Sequence, residues 1–467
     1  METGHDRLLR RAVPAVLAIL LASGCILKNP PDAAAIKSEG MATVDVPAGW
    51  TARGEGRGDV TGNWLASFGD EALTAAVVEA LAHNTDLRVA ATRVEQATLY
   101  ARLAGAKLYP SVDLLGRGGG KMSGDNSGLQ GGALTLSWEL DIWGRVRAGR
   151  AAAAADAASA QADFEYARQS LAAAVAKSWF LATEAGLQAE FARATIRDGE
   201  ALVKLAEDRT RVGVGSDEEV YVARANVGTT RDNLRQIEFA REQAIRALEI
   251  LLGRYPAAAA AVNPQLPGQP EAIPAGLPSQ LLERRPDVVA AERRVAAAFY
   301  RVHEAKAARL PAIALTTGVS SISSELFVLQ DRDNPIWSFG ANLVMPVFRG
   351  GALKTQVDIR TTEQKQAVAS YAAVGLRAFG EVEHALSAEI AAREREQLLA
   401  ATLSDNRRAF EIVQTQFKVG STDLRFVTQR QLALNATQSA VLRMQAEQRV
   451  QRVNLHLALG GSFETVK

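Results

Sequence analysis

The chain has 467 residues, of which 48% are hydrophobic and only 6% aromatic. This composition favours long helices packed closely through small side chains over a bulky globular core. The 53 Lys and Arg residues are balanced by 52 Asp and Glu residues, so the net charge offers no attraction for nucleic acid, and no nucleic-acid partner is expected.

The N-terminus has the features of a bacterial export signal. Three arginines precede an apolar run, residues 12–22, that is too short to span a bilayer. The following Ala-Ser-Gly-Cys resembles a lipobox, although leucine stands one place earlier than in the consensus, at Leu21. We therefore predict a lipoprotein signal over residues 1–24 and lipidation of Cys25. An ordinary signal peptide with an incidental cysteine is the alternative.

Cys25 is the only cysteine of the chain, which excludes an intramolecular disulfide and a cysteine-cluster metal site. Ile26 follows it, as in lipoproteins sorted to the outer membrane. No cofactor is expected apart from the covalent lipid. A single acyl modification anchors a protein weakly, so another part of the chain must also hold it in the membrane.

The chain contains an internal duplication. Asp86-Leu87 returns as Asp287-Val288 at an offset of 201, and Leu252-Gly253 returns as Leu459-Gly460 at an offset of 207. Many prolines separate the copies and exclude a long helix there. After the signal, the predicted segments are an N-terminal anchor and extended segment (25–63), a first repeat (64–255), a proline-rich linker (256–286), a second repeat (287–461) and a C-terminal tail (462–467).

Each copy begins with a helix whose apolar residues keep heptad spacing, which defines a seam for close helix packing. Pro110 and Pro311 end these two helices. The seam positions are Leu87, Ala90, Val94, Ala97, Ala101 and Ala104, then Val288, Ala291, Val295, Ala298, Val302 and Ala305.

Two strand-like stretches follow each of these helices. Apolar and polar residues alternate over 134–142 and 337–345, while the stretches near 112–117 and 312–321 are less regular. About ten residues of period two suit a tilted membrane-spanning strand. Four strands cannot close a barrel and open edges are not tolerated in lipid, so an oligomer is predicted. A dimer with eight strands and a trimer with twelve both satisfy this requirement.

The remainder of each copy is free of proline and is predicted to form long helices. Residues 145–212 would extend about 100 Å as one continuous helix. Gly149, Gly186 and Gly199 are candidate positions for a bend or a break. Helices of this length must pack along one another, because a compact domain cannot bury them.

Together these motifs resemble the TolC-like outer-membrane efflux channels, in particular their lipoprotein branch with NodT-like members. The resemblance covers about residues 64–461, and the order and spacing of its motifs make it specific. It rests on Phe68-Gly69-Asp70, Asn84-Thr85-Asp86-Leu87, Arg93, Glu139-Leu140-Asp141-Ile142-Trp143-Gly144-Arg145, Leu251-Leu252-Gly253, Arg284-Arg285-Pro286-Asp287, Met345-Pro346-Val347-Phe348 and Gly350-Gly351.

The resemblance implies a mainly α fold with a transmembrane β part, in which a homotrimer forms a 12-stranded β-barrel continuous with a periplasmic α-barrel. It also implies an outer-membrane exit duct of a tripartite pump. The implied partners are outer-membrane lipid, a periplasmic adaptor and an inner-membrane transporter of the resistance-nodulation-division type. Such proteins are conduits and not enzymes. The sequence agrees, since its five histidines lack metal-ligand spacing and it has no phosphate loop.

In this family the turns between paired long helices close the periplasmic end. Here these turns fall at 212–219 and 419–425, and the gate candidates are Asp217, Glu218, Thr422, Asp423 and Arg425. Rings of acidic side chains would favour cations in a narrow pore. Helix capping is the alternative role: Ser216 and Glu219 form a capping-box pattern, and Ser421 or Thr422 can cap the second helix.

Two other functions are compatible with parts of the sequence. A periplasmic adaptor also carries a lipid anchor and coiled-coil hairpins, but it would show one hairpin flanked by small β domains. A structural lipoprotein would differ from a channel only by lacking conductance. The sequence does not indicate the exported cargo.

Overall fold

The structure is a computed structural model that describes residues 28–52, 62–117, 130–268, 276, 278–323 and 336–463. The signal and Cys25 lie outside the described residues, as do parts of the linker and the segments between paired strands. Expectations about those parts of the chain therefore remain predictions.

The described chain is mainly helical, with four strands. After α1 (Ala33–Gly40), the first copy contains α2 (Glu71–His83), α3 (Thr85–Ala106), β1 (Ser111–Arg117), β2 (Gln130–Leu140), α4 (Arg145–Arg211) and α5 (Asp217–Leu251). Helix α6 (Pro278–Arg284) lies within the predicted linker, and the second copy contains α7 (Pro286–Ala307), β3 (Ala312–Ser323), β4 (Ile336–Val344), α8 (Ala352–Lys418) and α9 (Leu424–Ala458).

Three pairs of equivalent helices match in length between the two copies, which confirms the duplicated unit. They have 22 residues in α3 and α7, 67 in α4 and α8, and 35 in α5 and α9. The interval from the end of α3 to the start of α4 is 39 residues, from 106 to 145, and the equivalent interval from 307 to 352 is 45. The six additional residues of the second copy therefore lie in its strand region.

The long helix α4 continues through all three of its candidate breakpoints, Gly149, Gly186 and Gly199. A Cβ at Gly149 would lie 3.0 Å from Glu304, and one at Gly199 would lie 2.8 Å from Val227. These glycines therefore allow a neighbouring side chain to approach the helix closely, and they do not interrupt it.

The strands form one antiparallel sheet in the order β1-β2-β3-β4. Apolar residues stand opposite one another across it, as in Leu134 with Val319 and Trp138 with Leu315. The apolar face is solvent-exposed in the single chain, with Leu114 80% and Phe339 83% exposed. An exposed apolar face opposite a polar face is the arrangement of a barrel wall that meets lipid outside and water inside.

The strands end slightly earlier than the alternating pattern predicts. The pattern runs to Ile142 and Met345, whereas β2 ends at Leu140 and β4 at Val344. Asp141 leaves the ladder because its carboxylate accepts hydrogen bonds from the backbone N–H groups of Val146 (2.9 Å) and Arg147 (2.8 Å). The strand pattern therefore runs directly into the N-cap of α4.

Other residues of the same motif also fix the strand-to-helix junction. Arg145 makes a bidentate ion pair with Glu139, at 3.0 and 2.5 Å. The indole of Trp143 donates a 2.7 Å hydrogen bond to the backbone carbonyl of Pro311. The motif thus joins the first copy to the start of β3 in the second.

Contacts divide the chain into two compact units, and each unit takes segments from both copies. Among the described residues, those within 28–44, 92–162 and 289–374 form the first unit, and those within 45–91, 163–288 and 375–463 form the second. None of the described helices is both long and apolar enough to span a bilayer.

In the first unit the seam residues of α3 and of its equivalent helix α7 differ in how exposed they are. The seam residues of α7 are buried, from Ala291 to Ala305, whereas those of α3 in this unit are only half-buried. The side chains of Leu99, Tyr100 and Leu103 are also exposed on α3. This helix therefore keeps an apolar side without a described neighbour.

Helix α4 contacts both of these helices in the first unit. A Cβ at Gly105 of α3 would lie 3.7 Å from Arg150. On the α7 side, Ser159 donates a 3.0 Å hydrogen bond to the carbonyl of Ala290. Asp156 also forms an ion pair with Arg301 of α7. Helix α4 thus lies between α3 and α7.

The second unit contains an extended apolar core and two equivalent polar junctions. Asn84 donates a 3.0 Å hydrogen bond to the carbonyl of Leu251, and its oxygen caps α3. At the equivalent position of the second copy, Arg285 donates to the carbonyl of Ala458 at 3.2 Å. Arg285 is buried and also pairs with Asp287 (2.8 Å) and Glu381 (2.6 Å). The copies therefore share one junction geometry, but only the second buries a charge there.

Candidate functional site

The first helix-to-helix turn joins α4 to α5. Gly213 adopts a left-handed conformation, with φ +80°, and the backbone N–H of Val214 returns to the carbonyl of Arg209 at 3.0 Å. The hydroxyl of Ser216 accepts a 3.3 Å hydrogen bond from the N–H of Glu219. Ser216 is therefore the N-cap of α5, as the capping pattern predicts. The Oε2 atom of Glu219 is buried and has no hydrogen-bond partner.

The second turn joins α8 to α9 with a similar backbone. Gly420 has φ +79°, and the N–H of Ser421 returns to the carbonyl of Gln416 at 2.9 Å. The N-cap of α9 is Asp423, whose carboxylate accepts from the N–H of Arg425 at 2.9 Å. The prediction that Ser421 or Thr422 caps this helix is wrong, because the helix begins at Leu424, two residues later than a Ser421 cap requires and one later than a Thr422 cap requires.

Asp423 and Arg425 form an ion pair on the same turn. The guanidinium donates to the carboxylate at 3.1 Å through Nε and 2.9 Å through Nη2. These hydrogen bonds lower the pKa of the Asp423 carboxyl, so it stays ionised. The carboxylate in turn raises the pKa of Arg425, and the charge of Glu218 raises it further. The structure thus brings three of the five gate candidates into electrostatic contact.

The other two gate candidates occupy the same turns. Asp217 is the exposed first residue of α5, and Thr422 is half-buried next to the cap of α9. Beneath both turns lies a small apolar cluster containing Ala206, Val220, Ala223, Phe417, Leu424 and Val427.

Sequence reasoning missed Arg209, which contacts both turns. Its guanidinium lies over the ring of Phe417 in α8 and donates to the carbonyl of Val214 in the first turn. An arginine in the last turn of a long helix is ordinary, and its partner lies 208 residues away. The sequence pattern therefore contained no signal for this contact.

Among the described residues, no group of three or more His, Cys, Asp or Glu side chains is placed to hold a metal ion.

Comparison with known proteins decides the family. Residues 76–254 and 277–461 both match the outer membrane efflux protein family. The chain belongs to this family.

Relatives of known role span most of the chain. It is 28% identical over 407 residues to the cation efflux system protein CusC of Escherichia coli K12, covering 85% of this chain and 88% of CusC. It is 29% identical over 439 residues to the pyoverdine export outer membrane protein OpmQ of Pseudomonas putida, covering 90% of this chain and 92% of OpmQ.

Solved structures share the fold. The outer-membrane channel OprN superposes with a TM-score of 0.83 at 25% identity, covering 90% of this chain and 97% of OprN. The open state of the Neisseria gonorrhoeae channel MtrE gives a TM-score of 0.82 at 25% identity, covering 94% of this chain and 99% of MtrE. These neighbours are TolC-like trimeric channels with a helical barrel and a β part.

Family membership confirms the predicted fold class, location and general function. The protein is an outer-membrane channel component of a tripartite efflux system and not an enzyme. The adaptor and structural-lipoprotein alternatives are therefore set aside. The two turns correspond to the region in which the resemblance places the gate.

Proposed function

We propose that three copies of this chain close into one exit duct, anchored by lipid on Cys25. A periplasmic adaptor would dock on the duct, and an inner-membrane transporter of the resistance-nodulation-division type would supply its cargo. The observation that carries the proposal is the pair of incomplete lateral edges. Within the described residues β1 and β4 each pair on one side only, and α3 has an open apolar side.

These edges require neighbouring chains. Unpaired backbone N–H and C=O groups are not tolerated in the hydrocarbon region, so β1 must pair with another strand. Because the β1 and β4 edges differ, the contact is head-to-tail and closes into a ring. Three chains with four strands each supply the twelve strands of the proposed barrel.

The position of Lys28 supports an anchor near the sheet. Lys28 follows Cys25 by three residues and lies close to His303, near the end of the helix that leads into β3. Burial lowers the pKa of His303, and the charges of Lys306 and Lys28 lower it further. The lipidated residue would therefore lie on the side of the chain that enters the membrane.

Exposed apolar residues at the helix turns support docking of a partner there. Val212 and Val214 of the first turn and Val419 of the second are exposed in the single chain. Apolar side chains grouped on a periplasmic surface fit a protein partner that covers them. We therefore propose that the adaptor docks at this end of the duct.

Cysteine crosslinking tests the closed ring. In the full chain, in which the lipid would block the Cys25 thiol, Val112→Cys on β1 would be combined in turn with Phe339→Cys, Ala341→Cys or Leu343→Cys on β4. We expect at least one pair to give covalent dimers and trimers on oxidation in membranes, because the two edges meet between chains. Leu136→Cys on the inner strand β2 replaces Val112→Cys as the control and should give none. A ladder that ends at the dimer would instead support an eight-stranded barrel.

Conductance tests the proposed gate role of Asp423. Asp423→Asn removes the charge and the ion pair with Arg425, but asparagine caps helices about as well as aspartate. In planar bilayers we expect higher conductance, because the ion pair that holds the turn in place is lost, and weaker cation selectivity, because the constriction loses acidic charge. Asp405→Asn, an exposed acid farther along α8, is the control. Unchanged conductance and selectivity in Asp423→Asn would remove Asp423 from the gate.

A further inference from the structure

Arg209 makes a compact set of contacts at the ends of the long helices. Its guanidinium carbon lies 4.6 Å from the ring centre of Phe417, which is fully buried. Its Nη1 atom donates to the carbonyl of Phe417 and its Nη2 atom to the carbonyl of Val214, each at 3.3 Å. One side chain thus makes a cation–π contact and two hydrogen bonds to backbone oxygens.

These contacts join the two copies at the turns. Arg209 and Val214 belong to the first copy, whereas Phe417 belongs to the second. The neighbouring ion pairs remain within one copy: Arg211 with Asp208 and Arg224 with Glu207 in the first, and Arg425 with Asp423 in the second. Arg209 therefore forms hydrogen bonds that join one helix pair to the other, whereas these three ion pairs do not; Glu218 and Arg425 also attract one another across the copies.

The chemistry of the contact suits arginine in particular. A planar guanidinium can stack on an aromatic ring and donate sideways at the same time, which a lysine ammonium cannot do. The carbonyl of Phe417 lies in the last turn of α8, where the helix carries partial negative charge. Cation–π contacts are also stronger where water is excluded, as it is around the buried Phe417 ring.

One polar atom of this contact stays unsatisfied, because the Nε atom of Arg209 is buried without a hydrogen-bond partner. Buried polar atoms of this kind cost stability in the arrangement that contains them. The contact is therefore specific but not maximally stable, which suits a connection that must break when the turns move apart.

We propose that Arg209 is a latch that holds the two turns of each chain together in the closed channel. This inference rests on the proposed function, in which the turns form the closed periplasmic end. Arg209 would be a positioning residue in addition to the five gate candidates. Opening would separate the guanidinium from Phe417 and expose both to water.

Single-channel recording tests the latch with four variants of the full chain. Arg209→Gln removes the cation, Phe417→Leu removes the ring but keeps an apolar residue, and the double variant removes both. Arg211→Gln is the matched control, since it removes a cation two residues away that is 74% exposed and contacts only its own copy. We expect each single variant to raise open probability by about tenfold, with little further rise in the double variant.

Equal behaviour of Arg209→Gln and Arg211→Gln would overturn the latch, as would additive effects in the double variant. Hydrogen exchange of the backbone amides of residues 210–216 and 418–424 provides a readout independent of conduction. Faster exchange in Arg209→Gln than in Arg211→Gln supports the latch, and equal exchange contradicts it. If neither the wild type nor any of the variants conducts ions, the proposed function fails, and the exchange measurement still decides whether Arg209 joins the copies.

Discussion

Replacement of Glu389 by leucine is expected to lower the free energy of unfolding by about 3–5 kcal/mol. Glu389 on α8 forms an ion pair with Arg452 on α9, whose side chain is only 1% exposed. Burial lowers the pKa of Arg452, and the charge and hydrogen bond of Glu389 raise it again. Without the carboxylate, the guanidinium would remain in the interior without its ionic partner, at a high desolvation cost.

Two further variants separate the cost of a buried charge from loss of packing. The double variant Glu389→Leu, Arg452→Met removes both charges and should recover most of the loss, because apolar residues can replace a buried ion pair. Glu207→Leu breaks the exposed pair with Arg224 and should cost under about 1 kcal/mol. Denaturant unfolding in detergent measures all three. A loss in Glu389→Leu no larger than in Glu207→Leu would contradict the explanation.

The second large effect concerns pH and His456. This side chain is 3% exposed, its ring stacks on Trp64 at 5.5 Å, and neither ring nitrogen has a hydrogen-bond partner. Burial and the nearby charge of Arg452 lower its pKa from 6.5 to about 3. The folded chain therefore holds the neutral imidazole at any pH above about 3.

The sign of the pH effect follows from proton binding. Between pH 6.5 and 3 the unfolded chain protonates His456 while the folded chain does not, so acid favours unfolding. The free energy of unfolding should fall by about 1.4 kcal/mol per pH unit in this window from this residue alone. At pH 7 and above, protonation of His456 no longer favours the unfolded chain, so the free energy of unfolding is not reduced by this residue.

Comparison of the wild type with His456→Phe isolates that contribution. Phenylalanine keeps a ring against Trp64 but cannot bind a proton, so the variant should lose less stability between pH 6.5 and 4.5. His384→Phe replaces an exposed histidine of α8 and should follow the wild type. Thermal unfolding at several pH values provides the measurement. Parallel pH profiles for the wild type and His456→Phe would show that His456 is not the responsible group.

Sequence pattern alone predicted the strands and long helices well, because each depends on periodicity within a short window. The alternation around Trp138 and Phe339 identified β2 and β4, and the return of motifs at offsets of 201 and 207 identified the duplication. The alternating pattern did not predict where β2 and β4 end, because both strands end before the pattern does. Asp141 keeps the polar–apolar pattern of a strand, although its carboxylate caps the following helix.

Contacts that no local pattern marks could not be predicted from the sequence. Glu249 accepts three backbone hydrogen bonds from residues 258–260 and so fixes the start of the linker, although no motif marks it. Its equivalent in the second copy, at an offset of 207, is His456. The exchange of a carboxylate for an imidazole shows that the copies have diverged where they hold different segments. The two helix-to-helix turns lie where the sequence predicted them, and the gate role of their five candidates stays a prediction. The contacts of Arg209 could not be predicted from the sequence.

The difference between the two edges of the chain also has a genetic consequence. A protomer whose β1 edge is damaged keeps an intact β4 edge, so it can still join its neighbours and then prevent the ring from closing. If half of the chains in a cell carried such damage, only about one trio in eight would be free of it. Damage confined to this edge should therefore behave as a dominant trait, whereas damage that unfolds the whole chain should be recessive.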